Sequence, residues 1–141
     1  METREIKSLI KDLQQDFNKE ERKEIIEEIL NEEVDFELFN YRFIHKDEID
    51  EILVDELKSD PYILGCFTPG FIADNTSLSC EIIEALQEAG KFEEIGQYII
   101  DNEDLNSFAE AFVCADSYGH HFSHYDGYEH EAGDFYYFRL N

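Results

Sequence analysis

The residues best suited to chemistry lie near the end of the chain, in a segment rich in histidine. Four of the five histidines fall within 118–141, together with Asp126 and Glu131. Imidazole and carboxylate groups can hold zinc or iron when two or three histidines and an acid converge on one ion. The candidate metal ligands are therefore His120, His124, Asp126 and His130.

The same segment also has the pattern of a β-hairpin that covers a core. The alternation over 120–125 predicts a strand in which His120 and His124 share one face. Asp126-Gly127 and Gly133-Asp134 are turn signals, and the letters FYYFRL predict a final strand. The histidine spacing matches neither a zinc finger nor a zincin helix. A structural hairpin without a cofactor is the first expectation, and a zinc or iron site is the alternative.

No motif of nucleophilic or nucleotide chemistry accompanies these residues. Cys66, Cys80 and Cys114 lie far apart, in apolar or helical contexts that are typical of buried, reduced thiols. A Gly-x-Ser-x-Gly motif, a phosphate loop and a dinucleotide glycine pattern are all absent. Carboxylates are so abundant that a pair of them carries no catalytic information. We expect that the protein is not an enzyme.

The elements that must position these residues are short amphipathic helices, in an α+β fold with few strands. A chain of this length fits a single domain. We expect an amphipathic helical hairpin over 1–33, a helical body over 34–117 and an aromatic and histidine-rich β-hairpin over 118–141. Near 34–44, apolar residues alternate with acids, which predicts a short strand. The two helices of 1–33 could equally carry a contact between two copies of the chain.

The charge of the chain is its most unusual property. Thirty-five acids face eleven lysines and arginines, a net charge of −24, and residues 34–141 alone carry −19 from twenty-four acids and five bases. Such a potential repels nucleic acid and anionic membranes and attracts basic partners. No signal peptide or membrane-spanning run is apparent, so we expect a soluble, cytoplasmic protein.

The acids recur at helical spacing, which could place them in rows. Acids three or four residues apart on a helix lie roughly 5–6 Å apart. A compact chain of this length is about 37 Å across, and the same length of duplex DNA carries about 22 phosphate charges. The net charge of −24 is of that order. The candidate partner-binding residues are Asp47, Asp50, Glu51, Asp55, Glu81, Glu84 and Glu88.

In small size, strong acidity, abundant aromatics and short helices the chain resembles the DNA-mimic inhibitors of phages and mobile elements. These include anti-restriction and anti-CRISPR proteins, which occupy the nucleic-acid channel of a host defence enzyme. The resemblance is one of composition and matches no family motif. It implies an inhibitor of a basic nucleic-acid-binding protein, acting in the host cytoplasm if a phage encodes it. The alternatives are an acidic protein–protein interaction module without mimicry, or a metal-binding protein.

Overall fold

The computed structural model describes the whole chain, from Met1 to Asn141, as nine helices and four strands. In chain order these are α1 (Thr3–Leu13), α2 (Lys19–Leu30), β1 (Asp35–Leu38), β2 (Tyr41–His45), α3 (Ile49–Lys58), α4 (Pro61–Gly65), α5 (Pro69–Asn75), α6 (Cys80–Glu88), α7 (Phe92–Asn102), α8 (Leu105–Asp116), α9 (Gly119–Phe122), β3 (His130–Ala132) and β4 (Phe135–Arg139). The strands form one antiparallel sheet in the order β1-β2-β4-β3. The predicted α+β class, with a mostly helical chain, a C-terminal hairpin and a strand near 34–44, is confirmed.

Two compact units make up the chain. Unit 1 comprises Met1–Ile49 and Asp116–Asn141 and contains the whole sheet. Unit 2 comprises Asp50–Ala115 and contains the helices α3 to α8, apart from the first residue of α3 and the last residue of α8. The boundaries expected from the sequence at 33 and 117 stay a prediction.

In unit 1, the helices α1 and α2 bury their apolar stripes on one face of the sheet. Leu13 and Ile25 from the two helices form a core with Phe43 of β2 and Tyr137 of β4. Phe17, between the helices, packs its ring 5.5 Å from that of Tyr137. The α1–α2 hairpin predicted over 1–33 is therefore held by the strands it covers, because neither helix could hide its apolar stripe alone.

The sheet combines a long-range pairing of two strands with a tight turn between neighbouring strands. Strand β2 pairs with β4, so that Tyr41 faces Arg139 and His45 faces Phe135. The β1–β2 turn has positive φ at both central residues, Phe39 (55°) and Asn40 (68°), as the twist of a tight two-residue hairpin requires.

The strand predicted over 120–125 is wrong. Residues 119–122 form one helical turn, in which the Phe122 N–H donates to the Tyr118 carbonyl at 3.0 Å. This turn places the Phe122 ring, which is buried, 5.2 Å from the Phe138 ring on the sheet. It also brings Gly119 so close to Gly127 that a Cβ would lie 2.2 Å from the Gly127 carbonyl oxygen. Tertiary packing has overridden the local alternation.

The C-terminal hairpin is consequently shorter than expected. Its strands are β3 and β4, joined at Gly133-Asp134, where Gly133 has a positive φ of 56°. That turn was predicted correctly. Asp126-Gly127 bends the loop that precedes β3 and does not join two paired strands.

In unit 2, α4 and α7 pack backbone against backbone. A Cβ on Gly65 would lie 1.8 Å from the Phe92 carbonyl oxygen, and one on Gly96 would lie 1.7 Å from the Pro61 carbonyl oxygen. Only glycine permits such an approach. Side chains cap the short helices α4 and α5, because Asp60 accepts from the Ile63 N–H and Thr68 accepts from the Phe71 N–H.

Candidate functional site

Helix α3 presents three of the predicted partner-binding acids to solvent. Its apolar positions include Leu53 and Leu57, both buried, and the acids fall between them on the outer positions. The three acids, all exposed, are Asp50, Glu51 and Asp55. Asp50 and Glu51 lie in the first turn, where the helix dipole favours negative charge.

Helix α6 presents a second set of acids, which share one face. Ser79 caps the helix by accepting from the Ile82 N–H, and Ile83 is buried. Three acids, at positions 2, 5 and 9 of the helix, are all exposed: Glu81, Glu84 and Glu88. Spacings of three and four residues place neighbouring Cβ atoms roughly 5–6 Å apart. This helix therefore carries a row of three carboxylates.

The remaining predicted contact residue, Asp47, lies in unit 1, in the turn before α3. Its N–H donates to His45 Nδ1 at 3.1 Å, and its exposed carboxylate lies 3.9 Å from the same nitrogen. Within unit 2, α6 packs against α5 and α7. The helices beside the α6 row are thus α5, which carries Asp74, and α7.

Sequence reasoning missed the acids of α7. Glu93 and Glu94 are exposed in its first turn, and Asp101 is exposed near its end, where Oδ1 accepts from the Gln97 side chain at 3.0 Å. Glu94, Gln97 and Asp101 have the same three- and four-residue spacing as the α6 row. That spacing was the signal that could have identified them.

The distribution of charge differs between the two units. Unit 2 holds fifteen acids and only two bases, Lys58 and Lys91, a net charge of −13 in 66 residues. Unit 1 holds the other twenty acids and nine bases, a net charge of −11 in 75 residues. The cations of the recorded ion pairs, Arg42 with Asp35 and Lys46 with Glu131, belong to unit 1. The excess of acidic over basic residues is therefore greater in unit 2 than in unit 1.

The four candidate metal ligands lie in α9, in the loop that follows it and at the start of β3. His120 lies in α9 and His124 in the following loop, both exposed, while the His130 ring stacks on Tyr137 at 4.9 Å. No group of three or more His, Cys, Asp or Glu side chains is gathered as a metal ion would require. The zinc or iron hypothesis stays a prediction, which elemental analysis of the untagged protein tests.

Asp126, the fourth candidate ligand, is engaged in shaping its own loop. Its carboxylate accepts from the Tyr128 N–H and from the Ser123 hydroxyl, both at 3.0 Å. Partial burial opposes ionisation of Asp126, but these hydrogen bonds outweigh it and lower the pKa of its carboxyl. Ser123 is itself buried, and its oxygen also accepts from the Gly127 N–H at 3.1 Å. The acid therefore has a structural task in this position.

A second polar cluster links α1 to the hairpin. The Tyr137 hydroxyl donates to Asp16 Oδ2 at 2.7 Å, and His130 Nδ1 lies 4.0 Å from the same oxygen. Burial, the hydrogen bond to Asp16 and the negative charge of Asp16 all raise the pKa of Tyr137. Burial and the charge of Asp16 likewise raise the pKa of Tyr41, whose ring lies 5.6 Å from Tyr137. No local pattern predicts this cluster, because 121 residues separate Asp16 from Tyr137.

The expectation of buried thiols is wrong for two of the three cysteines. All three are free, and Cys66 and Cys114 are exposed. Cys80 is half-buried, with Sγ 3.6 Å from Glu84 Oε1. Desolvation, the hydrogen bond to Glu84 and nearby acids raise the pKa of the Cys80 thiol, which disfavours the reactive thiolate.

Comparison with protein-family models, with curated proteins and with solved structures gives no match. None of the helices has both the length and the apolar composition needed to cross a lipid bilayer. The charge and the geometry of each unit are therefore the basis for a functional proposal.

Proposed function

We propose that the protein is an acidic inhibitor that binds a basic nucleic-acid-handling protein and competes with DNA or RNA for it. One observation carries the proposal: unit 2 holds fifteen acids against two lysines. All seven of the candidate contact acids are exposed. In composition the chain resembles the DNA-mimic inhibitors, which include the anti-restriction and anti-CRISPR proteins.

The physical basis is the field of many carboxylates with few neighbouring cations. Such a field steers a basic protein towards the acidic helices and raises the rate of encounter. A groove that holds nucleic acid through lysine and arginine would meet carboxylates on α6 at roughly 5–6 Å intervals. Binding there excludes the nucleic acid, since both ligands need the same cations. The interaction must weaken as salt screens the charges.

The test is a pull-down followed by a gel-shift competition. The immobilised protein captures partners from a host lysate at low salt, and each captured protein is then mixed with labelled duplex or RNA. We expect that added inhibitor releases the nucleic acid, and that both capture and release fail when salt is raised from about 50 to about 500 mM.

Variants of matched charge locate the contact. In one variant Glu81, Glu84 and Glu88 of α6 become glutamine. In the control, the same change is made at three exposed acids of α2: Glu20, Glu24 and Glu27. Three exposed ion pairs at about 0.5 kcal/mol each predict a roughly tenfold loss of affinity for the α6 variant. Equal losses in both variants would contradict a contact through α6.

An acidic interaction module without mimicry is the second candidate. It predicts a complex that forms but leaves the nucleic acid bound in the gel shift. A complex that is indifferent to salt and leaves nucleic-acid binding intact would refute the mimicry. On the first proposal the inhibitor works in the cytoplasm, which is the host's if a phage encodes it.

A further inference from the structure

A groove in unit 1 combines buried apolar side chains with exposed acids. It has a volume of about 440 Å³ and lies among the start of α1, the 32–34 segment and the β3–β4 turn. Leu9, Ile29 and Phe135, all buried, line it, and Val34 adds an apolar side chain that is 42% exposed. Sites for small ligands and peptide side chains span roughly 300–1,000 Å³. The groove is therefore large enough for one sizeable apolar side chain and its neighbours.

Four carboxylates surround these apolar residues. They belong to Glu5, Glu32, Glu33 and Asp134, all exposed. None of the four forms a hydrogen bond or an ion pair within the chain, and no lysine or arginine lines the groove. His45, the single basic side chain present, is already tied through Nδ1 to the Asp47 N–H. Apart from His45 and the amino group of Met1, no group that lines the groove can offset the negative charge of the four carboxylates.

The walls of the groove are fixed by hydrogen bonds between distant segments. The Gly133 N–H donates to Asp12 Oδ2 at 3.1 Å, which ties the hairpin turn to α1. The Lys46 N–H donates to the Asp134 carbonyl at 2.9 Å, which ties the same turn to the end of β2. A site held in this way needs little ordering when a ligand binds, which favours affinity.

We propose that this groove binds a peptide segment of a protein partner, in which one large apolar side chain is flanked by lysines or arginines. The apolar side chain is withdrawn from water against Leu9, Ile29 and Phe135, and the flanking cations meet the four carboxylates. A purely apolar segment would desolvate these carboxylates without compensation, which is costly. A purely cationic segment would make no use of the apolar lining.

This site is separate from the surface assigned to mimicry. None of the seven acids predicted to contact a nucleic-acid-binding protein lines the groove. The proposal therefore does not rest on the proposed function. It can be tested on the protein alone, with synthetic peptides.

The experiment measures fluorescence anisotropy of labelled pentapeptides titrated with the full chain. The probe is Lys-Lys-Phe-Lys-Lys, and the matched peptides are Lys-Lys-Gly-Lys-Lys and Glu-Glu-Phe-Glu-Glu with the same label. We expect the first peptide to bind roughly tenfold or more tightly than the glycine peptide, because only the first buries an aromatic side chain. The acidic peptide should not bind.

Two variants test whether the peptide binds in the groove. The double variant Glu32→Gln with Glu33→Gln should lower the affinity for the phenylalanine peptide roughly 3- to 10-fold, as expected for the loss of two exposed ion pairs. Val34→Lys should abolish binding, because it places a cation at the apolar edge, and its exposed position should leave the fold intact in circular dichroism. The control, Glu81→Gln with Glu84→Gln, makes the same charge change on α6 and should leave peptide affinity unchanged.

Several results would overturn the proposal. One is equal affinity for the phenylalanine and glycine peptides, and another is equal weakening by the α6 control, since either means general charge attraction. No binding at about 1 mM peptide is a third. Phenethylamine that binds as tightly as the peptide would assign the groove to a small organic cation instead. If the gel-shift competition fails, the proposal of a peptide-binding groove is unaffected. If the peptides do not bind, the proposal of an inhibitor that competes with nucleic acid is likewise unaffected.

Discussion

The hydrogen bond between Tyr137 and Asp16 allows a prediction about stability at alkaline pH. Tyr137→Phe removes a hydroxyl that donates to Asp16 Oδ2 at 2.7 Å, on a side chain that is only 2% exposed. A hydrogen bond to a charged acceptor contributes about 1.5–3 kcal/mol. Because the Asp16 side chain is 22% exposed and can regain water, we expect a loss of about 1–2 kcal/mol near neutral pH.

The sign of the pH dependence follows from the raised pKa of Tyr137. In the folded protein, burial and Asp16 keep the phenol protonated above the pH at which an unfolded tyrosine ionises. The stabilisation is complete below about pH 10, and above it the wild type loses about 1.4 kcal/mol per pH unit. The Phe variant lacks this loss. The two stability curves should therefore converge about one pH unit above 10.

The assay is urea unfolding followed by circular dichroism, for wild type and variant, between pH 7 and about pH 11. Subtracting one curve from the other removes the effects of lysine deprotonation and of Tyr41, whose raised pKa is common to both proteins. Asp16→Asn provides a control, since its amide oxygen can still accept from Tyr137 without the charge. A difference that is constant over the whole pH range would refute the assigned role of Tyr137.

Two further predictions concern packing. Gly96→Ala should destabilise the protein by about 3 kcal/mol, because its Cβ would lie 1.7 Å from the Pro61 carbonyl oxygen, while Gly70→Ala, which has open space around it, should stabilise by about 0.4–1 kcal/mol in thermal unfolding. Phe138→Ala should cost about 3–5 kcal/mol in urea unfolding because the ring is fully buried, whereas Tyr128→Ala, at a position 67% exposed, should stay within about 0.5 kcal/mol of wild type. A Gly96 variant as stable as the Gly70 variant, or a fully stable Phe138 variant, would contradict the packing described above.

Local signals were enough to place most of the helices. A capping box begins α2, with Asn18 and Glu21 each accepting from the backbone N–H of the other, and it needs only these two residues three positions apart. The stripe through Leu105, Phe108 and Phe112 forms α8, with the last two buried. Caps and stripes depend on residues within one or two helical turns, so they can be read from the sequence.

The wrongly predicted strand over 120–125 shows that local patterns do not determine secondary structure where tertiary packing competes with them. Alternation of aromatic and histidine residues satisfies a strand, but burial of Phe122 against Phe138 is reached by a helical turn. Long-range packing also creates the polar cluster of Asp16 and Tyr137 and the groove beside Leu9 and Phe135. Each depends on the pairing of β2 with β4, which joins residues at least 90 positions apart.

The sequence by itself determined the charge, the helices with their caps, and the acids that those helices turn towards solvent, because these follow from composition and from contacts a few residues long. The tertiary structure alone decided that Asp16 meets Tyr137 and that four carboxylates surround one apolar groove. Such arrangements depend on which distant surfaces bury one another, and no local spacing encodes that choice.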